Sequence, residues 1–493
     1  MSVATLALAA LITAAVPVEA PPPAPPAVPP AAPADASAAD AARALPSIPF
    51  ERSVLDNGLE LIVHSDPHTP VVCVDVWYRA GAFDEERGKG GLAHLVERLM
   101  YQGSKHNPGD SHLKLLEAVG ASALGGSSSF DHTSYYECVP NNEIELALWL
   151  EADRMAWIMD VVEQAKLDEQ RNVVKNERRQ TIDNVPYGPA RAALWQAMFP
   201  ADHPYRGLVM GSIAELDQAT LEDARTFFDR YYAPANATLV ISGDIRVEDA
   251  KKLTDKYFRT FPKGNKPSKR TVAMPTLGAE LRLDLEDRLA ALTVVTVAFF
   301  TPPAFQNGSA DIEVLAHLLG DGNASRLHQA LVVDGKLAHS VRVSIVPTAN
   351  VSVLQLEAVV RAGVNPEDVL NAIQAQLDLL QDLPPSAEEL THAVATFEAR
   401  RIASLQSPLG RAELLQTYSL LAGDPGFLPK DLARYRAVTP DTTLAAVNGF
   451  LTKGRRAVAV IRPASAAPAE AGTPPAPETP AATPAPEPAK EGG

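Results

Sequence analysis

VVCVDVWYRAGAFDEERGKGGLAHL (Val71–Leu95) and TVVTVAFFTPPAFQNGSADIEVLAHL (Thr293–Leu318) carry one pattern twice. In each, an apolar strand runs into Ala-Phe and a polar turn, and a helix with Leu-Ala-His-Leu comes next. Such an echo is the mark of a repeated unit. Each half is also framed by strand candidates: SVLDNGLELIVH (Ser53–His64) and NATLVISGD (Asn236–Asp244) in the first, AVAVIRP (Ala457–Pro463) at the close of the second. Strands and helices mix without strict alternation, so the class is α+β. The organisation expected is two related αβ modules, 45–265 and 280–463, joined by a linker over 266–279.

The flanks differ in kind. Residues 21–44 and 464–493 are Pro/Ala-rich with almost no large apolar side chains. They cannot bury enough surface to offset ordering entropy and are expected to be disordered spacers. Residues 1–20 contain an apolar stretch from Val3 to Val16 and a small-residue exit at Ala20. That reads as a secretory signal, too short to span a bilayer, and makes the chain an exported, periplasmic product with no integral membrane segment. No Lys or Arg precedes the stretch, which leaves an unprocessed anchor or a displaced start as alternatives. The formal charge of -16 argues against nucleic acid as a partner. Cys73 and Cys138 both fall in strand-like runs. An oxidising compartment allows them to pair, but the favoured reading is two small buried hydrophobes.

Chemistry concentrates in GGLAHLVERLMYQGS (Gly90–Ser104). His94 and Glu97 stand one helical turn apart behind a glycine turn and share a face. The inverted zinc motif His-x-x-Glu-His needs that geometry, two histidines binding metal while the Glu activates the bound water. Here the fifth position is Arg98. A guanidinium stays protonated and has no lone pair to give.

GLAHLVERLMYQGS, GASALGGSSSFDHTSYYECVP (120–140), QRNVVKNERRQ (170–180) and the block from His203 to Asp244 resemble, in order and spacing, the first module of the pitrilysin/insulinase metallopeptidase family. SRLHQALVVDGKLAHSV (325–341) is similar to its second-module signature. The resemblance implies a pitrilysin/LuxS-like metallohydrolase fold of two homologous modules forming a clamshell. It also implies that unfolded peptide binds as an added strand and is cut at zinc in the first module. By the same resemblance His94 is the first zinc histidine, Glu97 the general base and Arg98 the lost second histidine. Gln170 is placed where the third ligand, a Glu, should be, with Glu177 as a supporting carboxylate. Glu169 does not rescue the site, because a one-residue step turns a helical side chain by about 100°. Val332 and His339 occupy the places of a substrate-holding Arg and Tyr. Gly125 and Gly126 replace an Asn-Ala pair on the edge strand, which removes a side-chain contact and loosens that strand. His132, Tyr135 and Tyr136 read as packing.

With two of three ligand positions changed, the expectation is a non-catalytic member that holds no metal, Glu97 being idle. A cation about 4 Å from a dication, at an effective dielectric of about 20, costs on the order of 8 kcal/mol. Its partners would be an active family subunit, or a second copy, and unfolded peptide segments. Two alternatives stand beside it: an active zinc endopeptidase with atypical ligands, and a structural protein of an envelope complex.

Overall fold

The computed structural model describes residues 45–464 apart from Lys269. The signal, the N-terminal spacer and the tail beyond Ala464 lie outside the described residues.

Eleven strands form two mixed sheets among the described residues. The first contains β1 (Glu51–Val54), β2 (Glu60–Ser65), β3 (Val71–Tyr78), β4 (Ala123–Ser128), β5 (Thr133–Pro140) and β6 (Ala237–Gly243). The second contains β7 (Leu281–Asp287), β8 (Val294–Thr301), β9 (Ala338–Val346), β10 (Ser352–Val360) and β11 (Arg456–Pro463). Setting β1 aside, the orders are β2-β6-β3-β5-β4 and β7-β11-β8-β10-β9. These are one topology: first strand, last, second, fourth, third. In both sheets the first and last strands pair in parallel and the other neighbours are antiparallel. The echo of Val71–Leu95 in Thr293–Leu318 is therefore a repeat of fold, and the α+β class and two-module architecture stand.

Seven helices position the charged cluster of the first module, its counterpart in the second and the junction between the modules: α1 (Leu92–Leu99), α2 (Ile144–Trp157), α3 (Gln164–Arg178), α4 (Gly188–Met198), α5 (Ser309–Gly320), α6 (Ala387–Ser404) and α7 (Pro408–Thr417). The modules interlock by exchanging helices. First-module α4 packs on β7 and β11, and second-module α7 packs on β3 and β6. Trp195 and Phe199 thus share a core with Phe300 and Val353, while Leu415 and Tyr418 share one with Ile62 and Val240. This covers both faces of each sheet, which is why VVCVDVWY is almost wholly buried instead of alternating. Arg191 clamps Glu357 across the junction by two hydrogen bonds of 2.7 and 2.8 Å. Residues 266–279 join the modules without helix or strand among the described positions.

Cys73 and Cys138 correct the sequence reading. They are register partners on β3 and β5, with Cα atoms 4.0 Å apart, and form a disulfide. Both runs were legible as strands, but only the pairing register places the two side chains opposite each other. No described helix is long and apolar enough to cross a membrane.

Candidate functional site

Helix α1 begins at Gly91, whose φ of 86° lies in the left-handed region. A Cβ there would sit 2.6 Å from the Met210 carbonyl, so the turn admits only glycine. Half-buried Glu85 accepts hydrogen bonds from the Gly91 and Ala93 amides, at 3.1 and 2.8 Å, and satisfies the first turn. Leu92, Leu95, Val96 and Leu99 then enter the first-module core. His94, Glu97 and Arg98 project towards α3.

Four charged side chains meet there. His94 Nδ1 lies 3.0 Å from Glu97 Oε2, and its Nε2 lies 3.3 Å from Glu177 Oε2. Arg98 Nη2 donates to that same Glu177 oxygen at 2.6 Å. Ser128, at the end of β4, donates to Glu97 Oε2 at 2.8 Å. Burial opposes charge on His94, but Glu97 and Glu177 outweigh it and raise the imidazole pKa to about 9. Burial likewise opposes charge on Glu177, yet His94 and Arg98 hold its carboxyl at about 2. Glu97 obeys the same logic: burial would raise it, and His94, Arg98 and Ser128 bring it below the usual range. At neutral pH the quartet is two cations and two carboxylates, hence electrically closed.

The third-ligand assignment is reversed by these distances. The carboxylate that reaches His94 is Glu177, not residue 170. Gln170 is buried on α3 two turns earlier and hydrogen-bonds to no member of the quartet. Glu169 is exposed, turned away as the 100° step requires. A zinc ion does not fit the residues as they stand. Both His94 nitrogens are committed to carboxylates, and the guanidinium of Arg98 occupies the lone-pair side of Glu177. Among the described residues the one His/Cys/Asp/Glu trio with ligand atoms within 4.8 Å of one another is elsewhere, at His112, Glu137 and Glu151. It is core-buried, and its Glu151 is already gripped by Arg154 through Nε and Nη2.

The remaining sequence-derived positions divide. Gly125 and Gly126 do lie on edge strand β4. Their missing side chains are replaced by neighbours: a Cβ on Gly125 would stand 2.8 Å from the Tyr136 hydroxyl, and one on Gly126 would stand 2.6 Å from that of Tyr101. The strand is filled, which corrects the expectation of a loosened one. His132 stacks on Trp77 with centroids 3.8 Å apart, and the Tyr135 and Tyr232 hydroxyls are 3.1 Å apart. Val332 packs against the second-module core, and His339 is exposed on edge strand β9. Neither hydrogen-bonds to the quartet. Sequence reasoning missed Ser128 and Glu85; nothing in the run GGSSS singles out the serine that folds onto Glu97.

The second module carries a charge-inverted counterpart. His317 on α5, from the second Leu-Ala-His-Leu, lies 2.7 Å from Asp321. Asp321 stands four residues on, as Arg98 does from His94, and pairs with Arg400 from α6. The polar step between the two helices is retained while its signs are exchanged.

The same fold recurs in known proteins. The family model described as insulinase (peptidase family M16) matches residues 60–201, and that described as peptidase M16 inactive domain matches residues 218–397. The zinc protease PqqE of Helicobacter pylori is 28% identical over 376 residues, spanning 75% of this chain and 84% of that protein. The crystal structure of a protease from Helicobacter pylori superposes with a TM-score of 0.78 at 24% identity, covering 84% of this chain and all of the other. The periplasmic protease PqqL of Escherichia coli gives 0.69 at 19% identity, with 85% of this chain and 48% of that one covered.

Proposed function

Because the chain belongs to the insulinase/pitrilysin (M16) peptidase family, we propose that it is a non-catalytic member, an exported peptide-binding subunit that works beside a catalytically intact relative or a second copy. One observation carries the reading: the Arg98 guanidinium sits on Glu177 while His94 is held protonated between Glu97 and Glu177. On this geometry one ligand of three is replaced, at Arg98, and that replacement is enough. It supplies a fixed positive charge where the dication would be, and draws the remaining carboxylate into an ion pair.

What this chain's own residues can still do is hold peptide. Edge strand β4 offers an unpaired backbone edge beside the quartet, and strand addition draws affinity from main-chain hydrogen bonds. Glu97 has no polarised water to deprotonate and acts instead as a counter-ion for His94. Export is supported by the Cys73–Cys138 disulfide and the N-terminal apolar stretch.

The test is to incubate the full chain with a labelled unfolded peptide and added zinc. Retention of the peptide without fragments is expected. Fragments that vanish in Glu97→Gln would establish a working peptidase instead.

A further inference from the structure

Asp75 is fully buried at the centre of β3, and its carboxylate oxygens make no well-formed hydrogen bond, the Trp77 indole being the donor that stands nearby. It faces the side of the first sheet that α7 covers. There Gln416 of α7 donates through one Nε2 to the Asp75 carbonyl at 2.8 Å and to the Thr238 carbonyl at 3.0 Å. This pair of bonds rivets a second-module helix to a first-module sheet. The acidic groups around the Asp75 side chain are Glu413 on α7, Glu151 on α2 across the sheet, and, on β5, Glu137 and the Tyr136 phenol opposite it. Its register partner on β6 is the apolar Val240, and the Trp77 indole lies along the same strand.

We propose that the seating of α7 on the first sheet is coupled to protonation of Asp75, so that the junction between the modules is closed with this carboxyl neutral and loosens as it ionises. A neutral carboxyl tolerates a buried site with acidic neighbours and no cation far better than a carboxylate does. Burial, with Glu413 adding to it, pushes the Asp75 carboxyl well above the usual range. Lifting α7 is the move that admits water to it, because α7 is the element covering that face. The folded-state pKa lies above that of the exposed group, so the open form binds fewer protons and is favoured as pH rises. One proton released per opening gives about a tenfold rise in the opening constant per pH unit, until the carboxyl is ionised in both forms.

Hydrogen exchange of the full chain, tracked at residues 408–417 between about pH 5 and pH 9 and corrected for intrinsic rates, reads this directly. The wild type should show the tenfold-per-unit loss of protection, and Asp75→Asn should be protected and flat. A flat wild type, or an unchanged slope in Asp75→Asn, overturns the proposal. Glu413→Gln, on the exposed side of α7, keeps the test alive should Asp75→Asn fail to fold. By removing a charge that raises the closed-state carboxyl, it should make the rise level off at lower pH, and an unmoved levelling-off overturns the coupling equally.

Discussion

Arg98 decides the character of this chain, and its effect is easiest to see through the titration of its neighbours. His94 gains a proton affinity in the fold, its pKa standing at about 9 against an ordinary 6.5. That contribution to stability is complete below about pH 6.5 and is lost as pH rises through about 9. Glu177 works the other way: held at about 2 against 4.5, it contributes above about pH 4.5 and loses its contribution as pH falls through about 2. The two shifts describe one set of contacts and are not added; their scale is on the order of 3 kcal/mol. Thermal unfolding of wild type and His94→Gln should therefore differ most near pH 6 and converge towards pH 10, a gap independent of pH contradicting the charged-quartet reading. Removing the guanidinium with Arg98→Met should cost about 2 kcal/mol, because a partly buried Glu177 loses its closest partner. Unchanged denaturant midpoints would show that the pair is idle. At this scale His94, Glu97 and Arg98 were legible in sequence, since i, i+3 and i+4 on one helix must share a face. The choice between residues 170 and 177 was not. Both lie on one face of α3, two turns apart, and only the packing of α3 against α1 selects which one meets His94.

Elements were more legible than their neighbours. The doubled strand-turn-helix pattern pointed to the two sheets, because period and turn chemistry are local. Register is not local, and so the disulfide between Cys73 and Cys138 escaped. The loop it closes spans 65 residues, for which chain-entropy arguments give about 4 kcal/mol. Cys73→Ala with Cys138→Ala should lower stability by up to that amount; a midpoint equal to that of the disulfide-bonded wild type would show that the bond adds nothing. The edge strand allows a sharper test. Gly126→Val must push aside the Tyr101 hydroxyl and approach the Ser134 carbonyl, which lies 3.0 Å from an added Cβ. It should cost about 1–3 kcal/mol and weaken peptide retention, while full retention at wild-type stability would place peptide away from β4.

At the scale of the whole molecule, nothing in the sequence announces that α4 and α7 change sides. Their apolar faces are legible, but the partner sheet is set by tertiary packing. The exchange makes each module's core partly the other's, so the two should unfold together in a single calorimetric transition. Leu415→Ala, on the exchanged α7 and fully buried, should lower that transition by about 2–5 kcal/mol. Two separated transitions in the wild type would contradict the interlock. Whether Arg98 alone closes the metal site is decided by zinc analysis of the purified chain beside Arg98→His. The wild type should carry none in stoichiometric amount, and Arg98→His should take up about one zinc per chain through His94, residue 98 and Glu177, without any change at Gln170. About one zinc per chain in the wild type, lost on His94→Ala, would contradict it.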